Sequence, residues 1–420
     1  MKRKIFIAAA VLFCTAAVVF GAPRAMPARG PQLAYRAAGT VAFANLERIA
    51  QTVAGIAGKG SKDPVLTYMV PRAIRNQGAA ILFGPMRPNA HGVAVCYVEP
   101  TISARVAASK HPTDADLDRM KRWTIVYPTT TTMASIRKRI PQAMPDAMNT
   151  LRIPPTRSIR RTMWAWFSPD GQWAVLGPSP AMAANAFQFS AKARARPLGQ
   201  DLAFMQMDAA GARAVFGTDV CAGGIMAMRM SPKGLEIRGS GRLGKVFRKP
   251  LPTGAVNFAG IPVTAPLFGI TTTPSDVKVA EDIFGMAGPE FGTYVRNALR
   301  YVNGAATGYY LDGTGAANTG LTPSQRLMKV LPEAKLLPST ANAMFCSPTI
   351  VMRLCLPKVA AKMMPFDSAK LQVVLRLLRN VRGDGMGVMS WREGTEDKLF
   401  IRISRDELWG LSNLWSTMLL

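Results

Sequence analysis

A short apolar strand centred on phenylalanine, followed at once by helix-capping residues, recurs four times in this chain, and that order of chemistry restricts the fold more than any other feature. Val41-Ala42-Phe43 precedes Asn45 and a helical run through Ile49 and Val53. Leu202-Ala203-Phe204 precedes Gln206, Asp208 and a run through Val215. Leu267-Phe268 precedes Thr273-Pro274-Ser275-Asp276 and a run with Val277, Ala280, Ile283 and Phe284. Ala343-Met344-Phe345 precedes Ser347-Pro348. β-Branched and aromatic residues favour the strand, and a side-chain oxygen that can cap orphan amides starts the helix. The chain is therefore restricted to mixed α and β structure.

Hairpin patterns accompany these units. Met163-Trp164-Ala165-Trp166-Phe167 runs into Ser168-Pro169-Asp170-Gly171 and resumes from Gln172 to Leu176. Met226 to Met230 runs into Ser231-Pro232-Lys233-Gly234 and resumes from Leu235 to Arg238. Proline suits the second position of such a turn, and glycine supplies positive φ. Ile81-Leu82-Phe83 with Val93 to Val98, and Val388 to Trp391 with Lys398 to Ile403, read as further strand pairs. Ser179-Pro180 opens an alanine-rich helical run to about Ala191. Ser404 and Glu407 have capping-box spacing ahead of Leu408, Leu411, Trp415 and Met418 on one helix face. The expected fold is α+β: antiparallel sheets from β-hairpins, covered on one face by amphipathic helices, in two pseudo-duplicated lobes. Residues 37–196 form the first lobe and 197–420 the second, with Lys192–Pro197 as the joint and a further sub-boundary near 304–321.

Residues 1–21 read as a Sec-type signal peptide. Lys2, Arg3 and Lys4 supply its positive start, Ile5 to Phe20 is uncharged and apolar, and Val19 and Gly21 fit a cleavage site. An uncleaved anchor is the alternative, for which the apolar run falls short of the ~20 residues that span a bilayer. Residues 22–36, rich in Pro, Arg and Ala, are a flexible start. No later run reaches bilayer length, so the expected product has no transmembrane segment after cleavage and resides in a periplasm or outside the cell. Export permits disulfides among Cys96, Cys221, Cys346 and Cys355, with buried free thiols as the alternative. If Ser347-Pro348 starts a helix, a rise of ~1.5 Å per residue puts Cys355 more than ~10 Å from Cys346, beyond the ~7 Å Cα limit of a disulfide.

Fifty-two Lys and Arg oppose 25 Asp and Glu, a formal charge of +27 that falls to +24 once the three leader cations go. The charge favours polyanions as partners. Behind a signal peptide these are acidic polymers of an envelope, with no specific nucleic acid expected. The two histidines, His91 and His111, have no metal-ligand spacing, and the 24 methionines are scattered as core fillers. No metal or cofactor is expected.

Motifs of catalysis fail on inspection. Gly55 to Ser61 lacks the Gly-Lys-Ser/Thr ending of a phosphate loop. Gly313-Thr314-Gly315 has Asn318 where a dinucleotide fingerprint needs a small residue. Ser135 and Lys138 match a serine–lysine spacing, but no Lys-Thr-Gly triplet accompanies them. Asp114, Asp116 and Asp118 lack the glycine and glutamate of a calcium loop and suit a first helical turn instead.

Basic clusters are the candidate site. They are Arg137-Lys138-Arg139, Arg157 with Arg160-Arg161, Lys192-Arg194-Arg196, and Lys245 with Arg248-Lys249. Arg157, Arg160 and Arg161 lie close in sequence to Trp164 and Trp166, so a basic surface with aromatic platforms for sugars or polyanions is expected from Arg137, Lys138, Arg139 and these residues. With strand openers at Phe43, Phe204, Phe268 and Phe345 and the hairpins between them, the layout resembles a loose class of bacterial exported proteins of unknown function with duplicated strand–helix–hairpin lobes. The resemblance transfers no functional residue. The expected function is a non-catalytic envelope protein that binds a polyanion or a protein partner through its basic surface. A hydrolase of an envelope polymer and a secretion or assembly factor with an apolar groove are the alternatives.

Overall fold

The computed structural model describes residues 35–56, 67–68, 70–75, 79–108, 119–147, 149–156, 159, 161–216, 221–243, 258, 260–271, 299–302, 307–311, 320–332, 340–351, 372, 376, 384–394 and 396–410. The expected leader, the acidic run at Asp114 to Asp118, the helix after Phe268, Gly313 to Gly315 and Cys355 lie outside them. The protein is mixed α+β with extensive antiparallel sheet. Its described residues fall into two compact units, one reaching Ala227 and including Arg242 and Leu243, the other holding Met228–Gly241 and the later residues.

The N-terminal unit contains β1 (Arg36–Phe43), β2 (Gly92–Val98), β3 (Lys121–Pro128), β4 (Met144–Ala147), β5 (Thr150–Ile153), β6 (Met163–Phe167), β7 (Trp173–Gly177) and β8 (Asp201–Asp208). They lie in the order β8-β1-β2-β3-β7-β6-β5-β4, each pair antiparallel. The expected caps form. Asn45 Oδ1 accepts from Glu47 N at 2.9 Å to start helix Leu46–Ile56, and Asp208 Oδ1 accepts from Gly211 N at 2.8 Å to start helix Ala209–Phe216. Ser179 Oγ accepts from Met182 N at 3.2 Å to start helix Pro180–Phe189. The Ser168–Gly171 turn closes with Gly171 N donating to Ser168 O at 2.9 Å.

Helices cover both faces of this sheet, a correction to the one-face expectation. Ala94, Cys96 and Val98 of β2 join Phe43, Leu46, Phe83, Ile136 and Ala212 in one core. Val93, Val95 and Tyr97 join Ala183 and Ala186 of helix Pro180–Phe189 in another. Every residue of β2 is buried, so its sequence reads as an unbroken apolar run instead of alternating. A second correction concerns Ile81-Leu82-Phe83. Ala79–Phe83 is a helix. Ala79, Leu82 and Phe83 stand at helical spacing and bury one face, while Ile81 points outward, and the paired alanines favour the helical state. Gly84, at φ +72°, ends it in the left-handed conformation that glycine adopts without strain.

The C-terminal unit begins within β9 (Cys221–Ser231), whose residues from Met228 onward belong to it. It continues through β10 (Gly234–Leu243), β11 (Leu267–Thr271), β12 (Leu299–Val302), β13 (Thr307–Leu311), β14 (Thr340–Cys346), β15 (Met386–Glu393) and β16 (Glu396–Ser404). The order is β12-β13-β11-β14-β15-β16-β10, again antiparallel. Phe268, Phe345, Met389 and Phe400 pack with Leu327 and Val330 of helix Pro323–Val330, which a Thr322–Gln325 capping box starts. Two arginines are built into this unit. Arg326 donates to the carbonyls of Val263 and Ala265 and lies 4.4 Å from the Phe345 ring centre. Arg402 donates to Val330 O and to Glu236.

The Ser404–Glu407 spacing forms half of the expected capping box. Ser404 Oγ accepts from Glu407 N at 3.2 Å. The Glu407 carboxylate turns instead to the segment after β14, where it accepts from Thr349 N at 2.6 Å and Ser347 Oγ at 3.3 Å. Burial pushes the Glu407 carboxyl above its ordinary range, and these hydrogen bonds only partly offset the shift. An acid raised in the folded state gives a stability contribution that is full below the unfolded carboxyl range and lost as pH rises through the folded value. Glu407→Gln keeps an acceptor for Thr349 N and cannot ionise. Urea midpoints from about pH 4 to pH 8 are therefore expected to fall less in the variant than in the parent. Parallel profiles would show that Glu407 does not titrate across folding.

Candidate functional site

The helix Met133–Arg139 is set by Thr132, whose Oγ1 accepts from Ser135 N at 3.3 Å, and by Ile136, which is buried. That anchor turns Arg137 and Lys138 to solvent, and neither takes part in an ion pair among the described residues. Ser135 and Lys138 are exposed and share no hydrogen bond, so the serine is not set up as a nucleophile with lysine as its base. Arg139 folds back, donating through Nη2 to Leu82 O and through Nε to Ser135 O. Beside it opens a pocket of about 300 Å³, walled by Leu82, Ile136, Ile140 and Ile159, with Arg139, Gln142 and Thr156 as its polar groups. The described residues of the wall include no carboxylate.

Trp164 and Trp166 lie two apart on β6 and share a face, while Ala165 and Phe167 point into the opposite core. The Trp166 ring packs 5.0 Å from Phe187 on the face covered by helix Pro180–Phe189. The sheet thus stands between Trp166 and the helix that carries Arg137, Lys138 and Arg139. Trp164 Nε1 donates to Asp146 Oδ2 at 2.9 Å, and exposed Arg152 is its cross-strand neighbour. Arg157 and Arg160 lie outside the described residues.

The aromatic platforms are already occupied by the chain's own cations. Arg194, on helix Ala191–Ala195, stands 3.8 Å from the Phe187 ring centre and 5.0 Å from that of Trp173. Arg87 lies over Trp173 at 5.5 Å, and Arg196 over Phe204 at 3.5 Å. These cation–π contacts fix the arginine stems against the sheet. Arg194 follows Phe187 by seven residues, close to two helical turns, and that spacing is the sequence signal for their contact.

Arg161 has a different setting. It is half-buried, and among the described residues its Nε is shielded from solvent without an acceptor and its guanidinium makes no hydrogen bond. Burial lowers its pKa, and the neighbouring Arg122 lowers it further. Arg122 lies 5.2 Å from the centre of the Tyr35 ring, and Tyr35 Oη donates to Arg119 O at 3.1 Å. Arg122 and Tyr35 are distant from Arg161 in sequence, and the order of the strands puts all three in one electrostatic field.

No protein-family model matches this sequence, and no curated protein matches it. Among solved structures, crystal form I of TP0453 aligns with 67% of this chain and 90% of its own, at 9% identity and a TM-score of 0.26. Among the described residues, no group of three or more His, Cys, Asp or Glu could hold a metal ion, and no helix is long and apolar enough to cross a membrane.

Proposed function

We propose that this chain is an exported, non-catalytic envelope protein whose basic surface binds a polyanion, with an envelope protein as the other candidate partner. The carrying observation is the excess of cations over acids. With 52 Lys and Arg against 25 Asp and Glu, no pairing scheme can neutralise more than about half of the cations. Arg137 and Lys138 show the result locally, as exposed neighbours with no ion pair among the described residues. An acidic polymer would neutralise such residues and release its own counterions. The leader pattern at 1–21 and the Pro-, Arg- and Ala-rich stretch after it suit export to a periplasm or beyond.

A duplicated arrangement draws support from the strand openers, with the division after Ala227 and not at the expected 196–197, because β8 belongs to the N-terminal unit. β1 and β8 carry Phe43 and Phe204 and are antiparallel neighbours. β11 and β14 carry Phe268 and Phe345 and are antiparallel neighbours as well. Each unit therefore sets two strand openers side by side.

Heparin affinity tests the binding function. The mature chain is expected to stay on heparin to high salt, and Arg137→Gln with Lys138→Gln is expected to lower the slope of log K against log salt by about two. Elution of the parent with neutral proteins would remove the proposal.

A further inference from the structure

We infer that the pocket beside Arg139 binds an aliphatic monocarboxylate, with the hydrocarbon chain in the cavity and the carboxylate on the guanidinium. The cavity of about 300 Å³ lies within the N-terminal unit, among helix Ala79–Phe83, helix Met133–Arg139 and the segment after β5. Its apolar lining is graded. Leu82 and Ile136 are 2% and 1% exposed, Ile140 and Ile159 are half-buried, and Ile81 is 40% exposed. The floor therefore belongs to the core, and the wall continues out to solvent. A chain that enters removes apolar surface of both partners from water. No aromatic ring is among the described residues of the wall, so nothing there stacks on a sugar or a planar ring. Four isoleucines and a leucine suit a flexible saturated chain instead.

The polar groups of the same wall are all donors. Arg139 and Gln142 are exposed, so they stand where the pocket meets solvent. Two carbonyls hold the guanidinium in place, Leu82 O on Nη2 and Ser135 O on Nε at 3.4 Å. A guanidinium has five donor hydrogens, and those on Nη1 meet no acceptor among the described residues. Arg139 makes no ion pair among them either. Thr156 Oγ1 accepts from Ile159 N at 3.0 Å, which fixes the segment and leaves the hydroxyl hydrogen to donate. Gln142 adds an amide NH₂. A carboxylate only accepts and carries a single charge, which matches one cation with neighbouring donors. A phosphate or a sulfated polymer would bring charge that this wall does not balance and no chain to fill the cavity. The occupant is the free acid, because esterification removes the charge that Arg139 meets.

This pocket goes beyond the polyanion reading and does not depend on it. Isothermal titration of the mature chain with sodium butyrate, hexanoate and octanoate, each below its micellar concentration, and with 1-octanol would test it. Octanoate is expected to bind one to a chain. Affinity should rise by about tenfold for each two methylenes added, from the apolar surface they bury. 1-Octanol, with the chain and no charge, should bind about tenfold more weakly than octanoate, the worth of one charge-assisted hydrogen bond. Arg139→Gln is expected to weaken octanoate by about tenfold and octanol far less. Ile81→Gln changes an exposed position, so folding should survive it, and it should weaken octanoate and octanol alike. That variant keeps the test open if Arg139→Gln fails to fold. Absence of octanoate binding would overturn the inference, and so would butyrate or octanol binding as tightly as octanoate. Unchanged octanoate affinity in Arg139→Gln or in Ile81→Gln would overturn it as well. Heparin separates the two functions. Ile81→Gln should be retained on heparin as the parent is, and a parent that binds octanoate but elutes with neutral proteins would keep the pocket and lose the polyanion surface.

Discussion

Glu236→Gln is expected to destabilise the C-terminal unit by about 3 kcal/mol, among the largest effects of any single side chain in it. Glu236 and Arg402 face each other across β10 and β16, 3% and 5% exposed, with Arg402 Nη2 2.9 Å from Glu236 Oε1. Arg229, half exposed on β9, donates to Glu236 Oε2 through both Nε and Nη2, at 2.9 and 2.7 Å. Glutamine keeps the shape and removes the charge, which takes from the buried guanidinium of Arg402 the carboxylate that its Nη2 meets at 2.9 Å. Burial works against the Glu236 carboxylate, but hydrogen bonds from Arg229, Ser231 and Arg402 outweigh it and hold the carboxyl below its ordinary range. A depressed acid contributes stability that is present above its unfolded value and lost as pH falls through the folded one. The parent should therefore lose stability on acidification more steeply than Glu236→Gln, measured by urea unfolding. Glu236→Leu combined with Arg402→Met should recover most of the loss, since replacing both partners of a buried pair by apolar groups leaves no charge stranded. A double variant as unstable as the single one would show that the pair is not the source of the effect.

That network also explains part of what the sequence conceals. The caps at Asn45, Ser179 and Asp208 and the hairpins around Gly171 and Gly234 are written in local chemistry, and they form as read. Such signals need only residues a few positions apart. Ile81-Leu82-Phe83 misleads because three apolar residues fit a strand or a buried helical turn equally, and the preceding alanines and following glycine settle the matter. The two-sided burial of β2 is visible as an unbroken run from Val93 to Val98, although β-hairpin logic argues for one solvated face. For the candidate site the difficulty is greater. Counting basic residues locates charge without separating surface from structure. Arg326 and Arg402 are buried, and Arg194 and Arg196 lie on aromatic rings, so four members of the cationic excess are part of the fold itself. Arg122 and Arg161 lie at one end of the sheet because β3 and β6 run parallel on either side of β7, and no spacing in the sequence announces that order.

Close packing between the first two strands should be the other point of greatest sensitivity. Phe43 ends β1 directly opposite Gly92, the first residue of β2. Phe43 is 2% exposed and belongs to the core that includes Phe83 and Leu46. Phe43→Ala is expected to cost about 3–5 kcal/mol, combining lost burial with the cavity left behind. The glycine is required by the same ring: a Cβ at Gly92 would stand 2.2 Å from Phe43 Cζ and 2.6 Å from Cε2. Neither the buried ring nor a strand paired on both sides, β1 on one and β3 on the other, can move far, so Gly92→Ala is expected to cost about 1–3 kcal/mol from overpacking. The two losses have opposite physical origins, a void and a clash, and should offset one another. Leucine at position 43 removes the ring atoms nearest the glycine. Gly92→Ala placed on Phe43→Leu should then cost less than on the parent by about 1 kcal/mol or more, a coupling beyond the usual scatter of additive pairs. Thermal and urea unfolding of the four proteins in the cycle would measure it. Strict additivity would mean that the Phe43 ring does not fill the space that glycine leaves open, and that the first strand pair is held by its backbone ladder alone.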